Sequence, residues 1–539
     1  MTGLDNRQAQ PGLKRWNAVD VACVVVLVAY FLHFALPSLA GGFSGDDMMN
    51  MYEYWNAGIS NSLWANVCFW TPFRRPGGAL YYLLIYHFFT LNPQPYHLIQ
   101  ISILAATIPI MYHLARLVTS SRSVAFLTVL ACCYHSQVAK LVFIGGFIYD
   151  VLCGFFYFAA LTYYIHIREK GVSLHPLQLL GFLAFYVCAL NSKEMAVTLP
   201  VIVLIYEALK CPRLAEWKQF LRRNWRSASP VLIAGALTAV YLYGEIHGPV
   251  IGLDPYRPEF SWHNFITSNA AFAGELINFC PSVSVLSQKA LLVISSKTIL
   301  IWWAAVFVYA FMRRDRALKL MAFWIAIVPL PIAFIRPIRG GACLYLLLFG
   351  WAMIFAKIAW DVITIISKSF TLLGQGAAVG AATGAMIGGV ATNRVRAATI
   401  GAAMGAAAGS MSRRVFGVFA TFLVAAWLAI FTQWENQRSN RTRVLLRSTQ
   451  KTIHVIQAFS SLNLHPAPGS TILIRGGPFF ANDWDPLFVA ALVLNDHSQR
   501  IYVGGANELS EQQVAQMDYI VSLTEFNAEL VRAPGSQFR

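Results

Sequence analysis

Residues 19–47 read VDVACVVVLVAYFLHFALPSLAGGFSGDD, an apolar run followed by a glycine-rich turn and two aspartates, Asp46 and Asp47. A helix that crosses the hydrocarbon core of a bilayer needs about 20 mainly apolar residues, so the run predicts a membrane-spanning helix. It is too long for a removable signal peptide and lacks the small-residue cleavage pattern. Carboxylates beside a bilayer are energetically expensive, so the acidic pair indicates a functional site.

The composition of the whole chain indicates a membrane protein. Its 539 residues are 57% hydrophobic, 14% aromatic and only 12% charged, unlike soluble domains. Counting apolar stretches predicts a polytopic all-α membrane protein with about 11–13 transmembrane helices and outer juxtamembrane helices. The net charge of +16 comes from short basic clusters between apolar runs, a pattern typical of contacts with membrane lipids and not of nucleic-acid binding.

The basic clusters also predict orientation, because lysine and arginine gather on the cytoplasmic side of membrane proteins. All of the basic clusters fall on the cytoplasmic side only if residues 77–89 do not cross the membrane. This segment has about 14 apolar residues and is short for a span, so we expect it to lie in the outer interface. The N-terminus is then cytoplasmic and the acidic pair outside, in one long loop with Glu53, Arg74 and Arg75. The clusters are Lys14 with Arg15, Arg116 with Arg122, Arg168 with Lys170, residues 210–226 and residues 313–319.

Further polar groups fall on the same predicted outer side. Lys193 and Glu194 occupy a tight turn between two helices, and Arg257 lies in a long loop. Arg336 and Arg339 follow another predicted helix. Because outer arginines oppose the usual charge bias, we expect them to meet a bound anion or a carboxylate.

A glycine-rich segment interrupts this pattern. Glycines recur at every fourth position in residues 376–388 and 401–409, with a turn at residues 393–396. Small residues at this spacing share one helix face and let helices approach closely in lipid. We predict a glycine-zipper hairpin; internal packing, self-association and an interfacial, non-spanning position all remain open for it.

The C-terminal part of the chain changes composition. Residues 434–462 predict a helix leaving the membrane, residues 471–474, 501–503 and 519–521 predict short buried strands, and residues 485–494 predict a helix. The predicted domains are a transmembrane catalytic core at 1–371, the hairpin at 372–412, the last transmembrane helix at 413–433 and an extracytoplasmic α/β domain at 434–539.

The order of these features resembles the glycosyltransferase C superfamily, whose integral membrane members use lipid-linked, usually polyprenyl-phosphate, sugar donors. The similarity is greatest to bacterial relatives of protein O-mannosyltransferases and lipid A aminoarabinose transferases, and it covers residues 15–360, 415–433 and the soluble tail. The matching pieces are the acidic pair, the Arg-Pro and tyrosine-rich segment 74–89, Ser192-Lys193-Glu194 with Leu199-Pro200 and Tyr206-Glu207, residues 339–345, and Tyr134-His135 before the helix carrying Asp150.

The resemblance implies a role for the acidic pair. In the family, an aspartate of the first outer loop activates the acceptor hydroxyl or orients an acceptor amide, which implies this role for Asp46 or Asp47, with Asp46 favoured as the first acid. A hydroxyl that attacks the anomeric carbon opposite the departing phosphate gives an inverted product. The implied enzyme is an inverting glycosyltransferase acting on a protein, lipid or glycan acceptor at the outer face of a bacterial inner membrane.

The resemblance also implies cations for the departing polyprenyl phosphate, since the arginine fork binds phosphate oxygens at two places. Lys193 and Arg339 occupy the family positions. The full set of candidate phosphate-binding residues is Arg74, Arg75, Lys193, Arg257, Arg336, Arg339 and Tyr345. The candidates for acceptor binding or support are Glu53, Glu194 and His135.

Simpler explanations remain open for several of these residues. The acidic pair can cap a helix that begins at Met48. Arg74 and Arg75 can extend to lipid headgroups, as can Arg336 and Arg339. Lys193 can pair with Glu194 at the helix turn.

Metal use and the class of activity also have open alternatives. No histidine spacing predicts a metal site, but some family members need a divalent cation, which Asp46, Glu53 and Glu194 are able to hold. A transporter of lipid-linked sugars or ions would carry charges at the membrane midplane, often repeated in two halves, whereas here they gather at one surface. A noncatalytic scaffold explains the glycines but leaves the outer carboxylates without a role.

Overall fold

The structure is a computed structural model that describes residues 16–71, 75–211, 225–247, 258–277, 288–387, 413–479, 483–507 and 509–533. The first half contains α1 (Ala18–Ala35), α2 (Gly45–Ala57), α3 (Ile59–Val67), α4 (Pro76–Phe89), α5 (Pro93–Thr119), α6 (Arg122–Cys133), α7 (Lys140–Phe143), α8 (Ile148–Arg168), α9 (Pro176–Ser192), α10 (Leu199–Ala208) and α11 (Trp225–Ile246).

The second half contains α12 (Trp262–Ile277), α13 (Gln288–Met312), α14 (Arg316–Ile327), α15 (Leu330–Ala333), α16 (Tyr345–Ile387), α17 (Arg413–Ser439), α18 (Arg441–Ser461), α19 (Asp485–Leu494) and α20 (Glu511–Ala515). Its strands are β1 (Thr471–Gly476), β2 (Arg500–Val503), β3 (Tyr519–Leu523) and β4 (Ala528–Arg532).

Seven helical segments of the described residues are long and apolar enough to cross a membrane, where the sequence predicts about 11–13. Further apolar helices, among them α6 and α9, are shorter than this. The protein is therefore a polytopic, mainly helical membrane protein with a small C-terminal α/β domain, as predicted. The seven segments are Ala18–Ala40, Pro93–Thr119, Gly145–Arg168, Ala228–Ile246, Arg316–Ala333, Gly341–Lys368 and Val415–Ser439.

Polar contacts show which helix ends share a side of the bundle. Asp20, near the start of α1, pairs with Arg116 near the end of α5 and with Arg122 at the start of α6, at 2.6 and 3.0 Å. Arg168, at the end of α8, pairs with Glu207 at the end of α10 at 2.7 Å. The opposite ends of these helices define the other side, which we call the site side because Asp46 and Asp47 lie there.

Both ends of α4 lie on the site side. Arg75, at its N-cap, pairs with Glu194 directly after α9. Near the other end, the Tyr86 hydroxyl donates to the carbonyl of Leu492 in the C-terminal domain at 2.6 Å. A helix that crossed the membrane would separate these contacts, so α4 lies along one side, as predicted for residues 77–89.

The C-terminal domain is a four-stranded sheet in the order β2-β1-β3-β4, with β1 parallel to β2 and β3, and β4 antiparallel to β3. The sequence predicts the first three strands and α19, but not β4. The domain packs against α2, where Trp55 donates to the side chain of Asn495 at 2.8 Å and stacks on His497 with centroids 3.6 Å apart. The domain therefore lies on the site side.

Two predicted boundaries differ from the structure. Residues 434–462 do not form one helix, because Asn440 adopts a left-handed conformation with φ 49° between α17 and α18. The last predicted transmembrane helix therefore extends to Ser439. Helix α16 runs through residues 371 and 372 without a break, while the predicted hairpin turn at residues 393–396 and the second glycine run lie outside the described residues.

Candidate functional site

The acidic pair lies in the first turn of α2, which begins at Gly45 and not at Met48. Ser44 is the N-cap, and its side chain accepts from the Asp47 amide while Asp47 accepts from the Ser44 amide. This reciprocal capping box satisfies two backbone donors that would otherwise lack partners. The predicted capping alternative therefore applies to Asp47, with the helix starting three residues earlier than expected.

Asp47 is buried, and both of its carboxylate oxygens have partners. One oxygen accepts from the Ser44 amide at 2.8 Å and the Ser44 hydroxyl at 2.6 Å, and the other accepts from the Tyr82 hydroxyl at 2.8 Å. Burial raises the pKa of Asp47, and the hydrogen bonds from Ser44 and Tyr82 offset this only in part. A side chain at Gly145 would overlap an Asp47 oxygen, so the carboxylate packs directly against this glycine.

Asp46 is exposed on the adjacent position of the same helix turn. Within the described part of the chain, no side chain donates a hydrogen bond to its carboxylate. A further acid, Asp485 at the start of α19, approaches this turn, because its carboxylate lies 2.7 Å from the position of a Cβ on Gly45. Burial, with the negative charges of Asp483 and Asp46, raises the pKa of Asp485 to about 6.

Tyrosines connect the acidic pair to the cationic part of the site. The Tyr54 hydroxyl donates to the carbonyl of Arg75 at 3.1 Å and lies 2.7 Å from the Tyr149 hydroxyl. The Tyr54 ring also lies over that of Tyr82, with centroids 6.1 Å apart. Because Tyr82 donates to Asp47, a continuous set of contacts runs from α2 through α4 to the start of α8.

Arg75 is positioned by a carboxylate and an aromatic ring. Its guanidinium lies 3.3 Å from Glu194, with 22% of its side chain exposed, and 5.1 Å from the centre of the Tyr149 ring. Burial disfavours the charged form, but the attraction of Glu194 outweighs it and raises the pKa of Arg75. The residue is a permanent cation with access to solvent on the site side.

Lys193 pairs with an acid from another helix, Asp150. Its Nζ atom lies 2.6 Å from both carboxylate oxygens of Asp150 and 3.3 Å from Cys343 Sγ, and the residue is 5% exposed. Glu194, the partner that local sequence leaves open for Lys193, instead pairs with Arg75. Lys193 is therefore a buried cation whose charge is neutralised by Asp150.

The remaining candidates are spread over several environments. Arg336 donates to Asn264 at 2.6 Å. Tyr345 is 5% exposed and its hydroxyl faces Met111 in the apolar core, so the structure does not bring it to the acidic pair.

His135 is buried against the carbonyl of Leu276 at 3.2 Å, and burial lowers its pKa to about 4. Arg339 lies just before the Gly341 amide, which donates to Glu275 at 2.8 Å. Arg74 and Arg257 lie outside the described residues.

The acids proposed as metal ligands do not form one group. Glu53 is exposed on α2, while Glu194 pairs with Arg75 at the N-cap of α4. In the ranges that the structure describes, no three His, Cys, Asp or Glu side chains are arranged to hold a metal ion. The combination of Asp46, Glu53 and Glu194 is therefore not formed.

The sequence does not predict three groups of residues that the structure places in the site. These are Asp150, which neutralises Lys193; the tyrosines at positions 54, 82 and 149; and Asp485, which the C-terminal domain brings to the start of α2. The tyrosine-rich segment is visible in the sequence, but the hydroxyl partners are not. Asp150 has one local signal, as an acid in the first turn of an apolar helix.

Comparisons with known proteins add a family segment and a fold likeness. A family model of the YMGG-like Gly-zipper matches residues 358–414, which include the predicted hairpin. No curated protein matches the chain in sequence. Of the matched residues, the structure describes 358–387 and 413–414.

Among solved structures, the chain is similar to ArnT from Cupriavidus metallidurans bound to undecaprenyl phosphate, with 14% identity over 94% of this chain and 92% of that chain and a TM-score of 0.46. It is also similar to the Archaeoglobus fulgidus oligosaccharyltransferase tethered with an acceptor peptide, with 11% identity over 90% of this chain and 63% of that chain and a TM-score of 0.42. Both are glycosyltransferase C enzymes, the superfamily that the sequence motifs resemble. Likenesses of this extent concern the fold alone, so an activity must rest on the residues of the site.

Proposed function

We propose that the protein is an inverting glycosyltransferase that moves a sugar from a polyprenyl-phosphate donor to an acceptor hydroxyl at the outer face of a bacterial inner membrane. One observation carries this proposal. An exposed carboxylate, Asp46, stands beside a fully hydrogen-bonded one, Asp47, on the side of the bundle where Arg75 keeps access to solvent.

Asp46 is proposed as the general base. An exposed carboxylate beside the membrane is able to take the proton of an acceptor hydroxyl. The hydroxyl oxygen then forms a bond to the anomeric carbon as the bond from that carbon to the phosphate oxygen breaks. Polyprenyl phosphate leaves with the electron pair, and the configuration at the sugar is inverted.

Asp47 and the buried ion pair are proposed to position the site. Both oxygens of Asp47 are engaged by Ser44 and Tyr82, so this carboxylate holds the first turn of α2. Lys193 and Asp150 join the end of α9 to the start of α8. We therefore assign Lys193 to the support of the donor site and not to direct phosphate contact.

Arg75 is proposed as the main described phosphate ligand. Its fork-shaped guanidinium is suited to two phosphate oxygens at once, and its partial exposure leaves a path for a lipid headgroup. Arg336 and Arg339, with Arg74 and Arg257 of the undescribed segments, are proposed as further contacts. The acceptor is proposed to approach from the C-terminal domain, which lies against α2.

A transfer assay with purified protein tests this function. The protein is given a panel of radiolabelled polyprenyl-phosphate sugars and candidate acceptors, with Asp46→Asn beside the wild type and Glu511→Gln, an exposed acid of the C-terminal domain, as control. We expect Asp46→Asn to retain donor binding and to lose transfer by about 10²- to 10⁴-fold. Undiminished transfer by Asp46→Asn refutes the assignment, and movement of lipid-linked sugar across vesicles without transfer favours a transporter.

A further inference from the structure

The junction between α17 and α18 forms a groove that the proposed reaction does not use. Asn440 makes the turn in a left-handed conformation that asparagine tolerates better than most residues. The junction is tied to the rest of the bundle because Asn436 accepts from the Tyr134 hydroxyl at 2.8 Å and from the Thr442 hydroxyl at 3.3 Å. The groove measures about 510 Å³ and is lined in part by Gln437, Asn440, Arg443, Arg447 and Gln450.

The groove carries an unbalanced positive charge. Arg443 and Arg447 are exposed and four residues apart, and therefore share one face of α18. In the part of the chain that the structure describes, neither forms an ion pair with an acid. Residues 436–461 contain no aspartate or glutamate, and their basic residues are Arg438, Arg441, Arg443, Arg447 and Lys451.

An apolar groove adjoins the basic one. It measures about 430 Å³, lies between α1 and α17, and is lined by residues that include Tyr30, Phe34, Ile430 and Trp434. Gln437 lines both grooves, so they meet at the end of α17. Because α17 contains the candidate membrane span Val415–Ser439, the apolar groove runs along the span and the basic groove lies at its end.

We propose that these two grooves together bind an anionic membrane phospholipid. Arg443 and Arg447 hold the headgroup phosphate through charge-assisted hydrogen bonds, while an acyl chain lies between α1 and α17. The adjoining apolar groove favours a lipid over a free phosphate ion. The site is separate from the proposed donor site, since none of Asp46, Arg75 and Lys193 lines either groove.

The bound lipid would also secure the C-terminal domain. Helix α18 leads into β1 and packs on the first loop, where the Gly42 amide donates to the Thr449 hydroxyl at 3.0 Å. A phospholipid held at the start of α18 therefore fixes the helix that carries the sheet. This role is independent of any transfer reaction.

Native mass spectrometry of the full chain in detergent micelles tests the proposal. The probes are phosphatidylglycerol, phosphatidylcholine and inorganic phosphate, and we expect phosphatidylglycerol to bind about 10-fold more tightly than phosphatidylcholine. Arg443→Gln with Arg447→Gln removes two cationic contacts with the lipid phosphate and should weaken phosphatidylglycerol binding by about 30-fold. The matched control, Arg475→Gln with Arg500→Gln, removes the same charge from exposed positions of the sheet and should bind as the wild type does.

The other outcomes overturn the proposal. If the groove variant binds phosphatidylglycerol as tightly as the wild type does, these arginines do not hold a headgroup. If inorganic phosphate displaces phosphatidylglycerol at equal concentration, the site binds a free anion and the apolar groove has no part in it. Thermal unfolding of both double variants without added phospholipid, expected to match the wild type, separates loss of binding from loss of folding.

Discussion

The Nζ atom of Lys193 lies 2.6 Å from both carboxylate oxygens of Asp150, and each side chain of the pair is 6% exposed. The attraction of Asp150 outweighs the cost of burial and raises the pKa of Lys193. Both side chains of the pair are therefore charged and neutralise each other. The pair joins the end of α9 to the first turn of α8, which also carries Tyr149. We therefore expect Lys193 to stabilise the site and not to contact a ligand directly.

Removing one partner of this pair should be strongly destabilising. Lys193→Met leaves the Asp150 carboxylate buried without a counterion, which lowers the free energy of unfolding by about 3–5 kcal/mol. The double variant Lys193→Met with Asp150→Leu should recover most of this loss. Thermal unfolding in detergent measures both effects. A stable single variant with weakened donor binding would instead make Lys193 a direct phosphate ligand.

The two aspartates should differ in what they stabilise. Asp47→Ala removes half of the capping box and leaves the Tyr82 hydroxyl without its acceptor, which lowers the free energy of unfolding by about 1–3 kcal/mol. Asp46→Asn changes an exposed side chain and should stay within about 0.5 kcal/mol of the wild type. Chemical or thermal unfolding of the two variants tests this contrast, and equal losses would contradict it.

Gly145 should be intolerant of any side chain. A Cβ there overlaps the Asp47 carboxylate, so Gly145→Ala should displace Asp47 and lower the free energy of unfolding by about 1–3 kcal/mol, with a loss of transfer. Gly235→Ala is the matched control, because nothing lies within 4 Å of a Cβ at that position. Calorimetry and transfer assays of both variants test this. If Gly145→Ala is as stable and as active as Gly235→Ala, Gly145 does not position Asp47.

Asp485 should make stability depend on pH. Its pKa rises from 3.8 to about 6 on folding, so the folded state binds more protons than the unfolded state between these values, and stability falls as pH rises through this window. At 1.36 kcal/mol per pKa unit the loss is at most about 3 kcal/mol, and partial solvation of the carboxylate reduces it. Asp485→Asn should unfold at a higher temperature than the wild type at pH 7.5, and the difference should disappear below pH 4. A difference that does not change with pH would show that the Asp485 charge is not responsible.

Arg75 should affect the donor more than the fold. Its pair with Glu194 is partly exposed and contributes about 0–1 kcal/mol to stability. Arg75→Lys keeps the charge but loses the two-point fork, so the affinity for a polyprenyl phosphate should fall by about 10-fold while the unfolding temperature stays close to that of the wild type. Isothermal titration with polyprenyl phosphate gives the affinity, and an unchanged affinity would remove Arg75 from the phosphate site.

Much of the architecture follows from local sequence. The apolar run before Asp46, the short segment now seen as α4, the strands at 471–476 and 519–523 and the helix Asp485–Leu494 are each encoded by composition and periodicity over a few turns. The break at Asn440 is not predicted because the residues on both sides favour a helix. The strand β4 is not predicted because its alternation is weak at the edge of the sheet.

Local sequence predicts that this chain crosses a membrane, that α4 lies along one face, and that acids and cations gather on the side that carries the C-terminal domain. These properties depend on hydrophobicity and charge along the chain. Tertiary packing, in contrast, determines that Lys193 pairs with Asp150, that Glu194 pairs with Arg75, and that Asp47 is buried against Tyr82 while Asp46 is exposed. These partners come from different helices, and the packing of those helices, which no local pattern encodes, selects among several charged residues within reach.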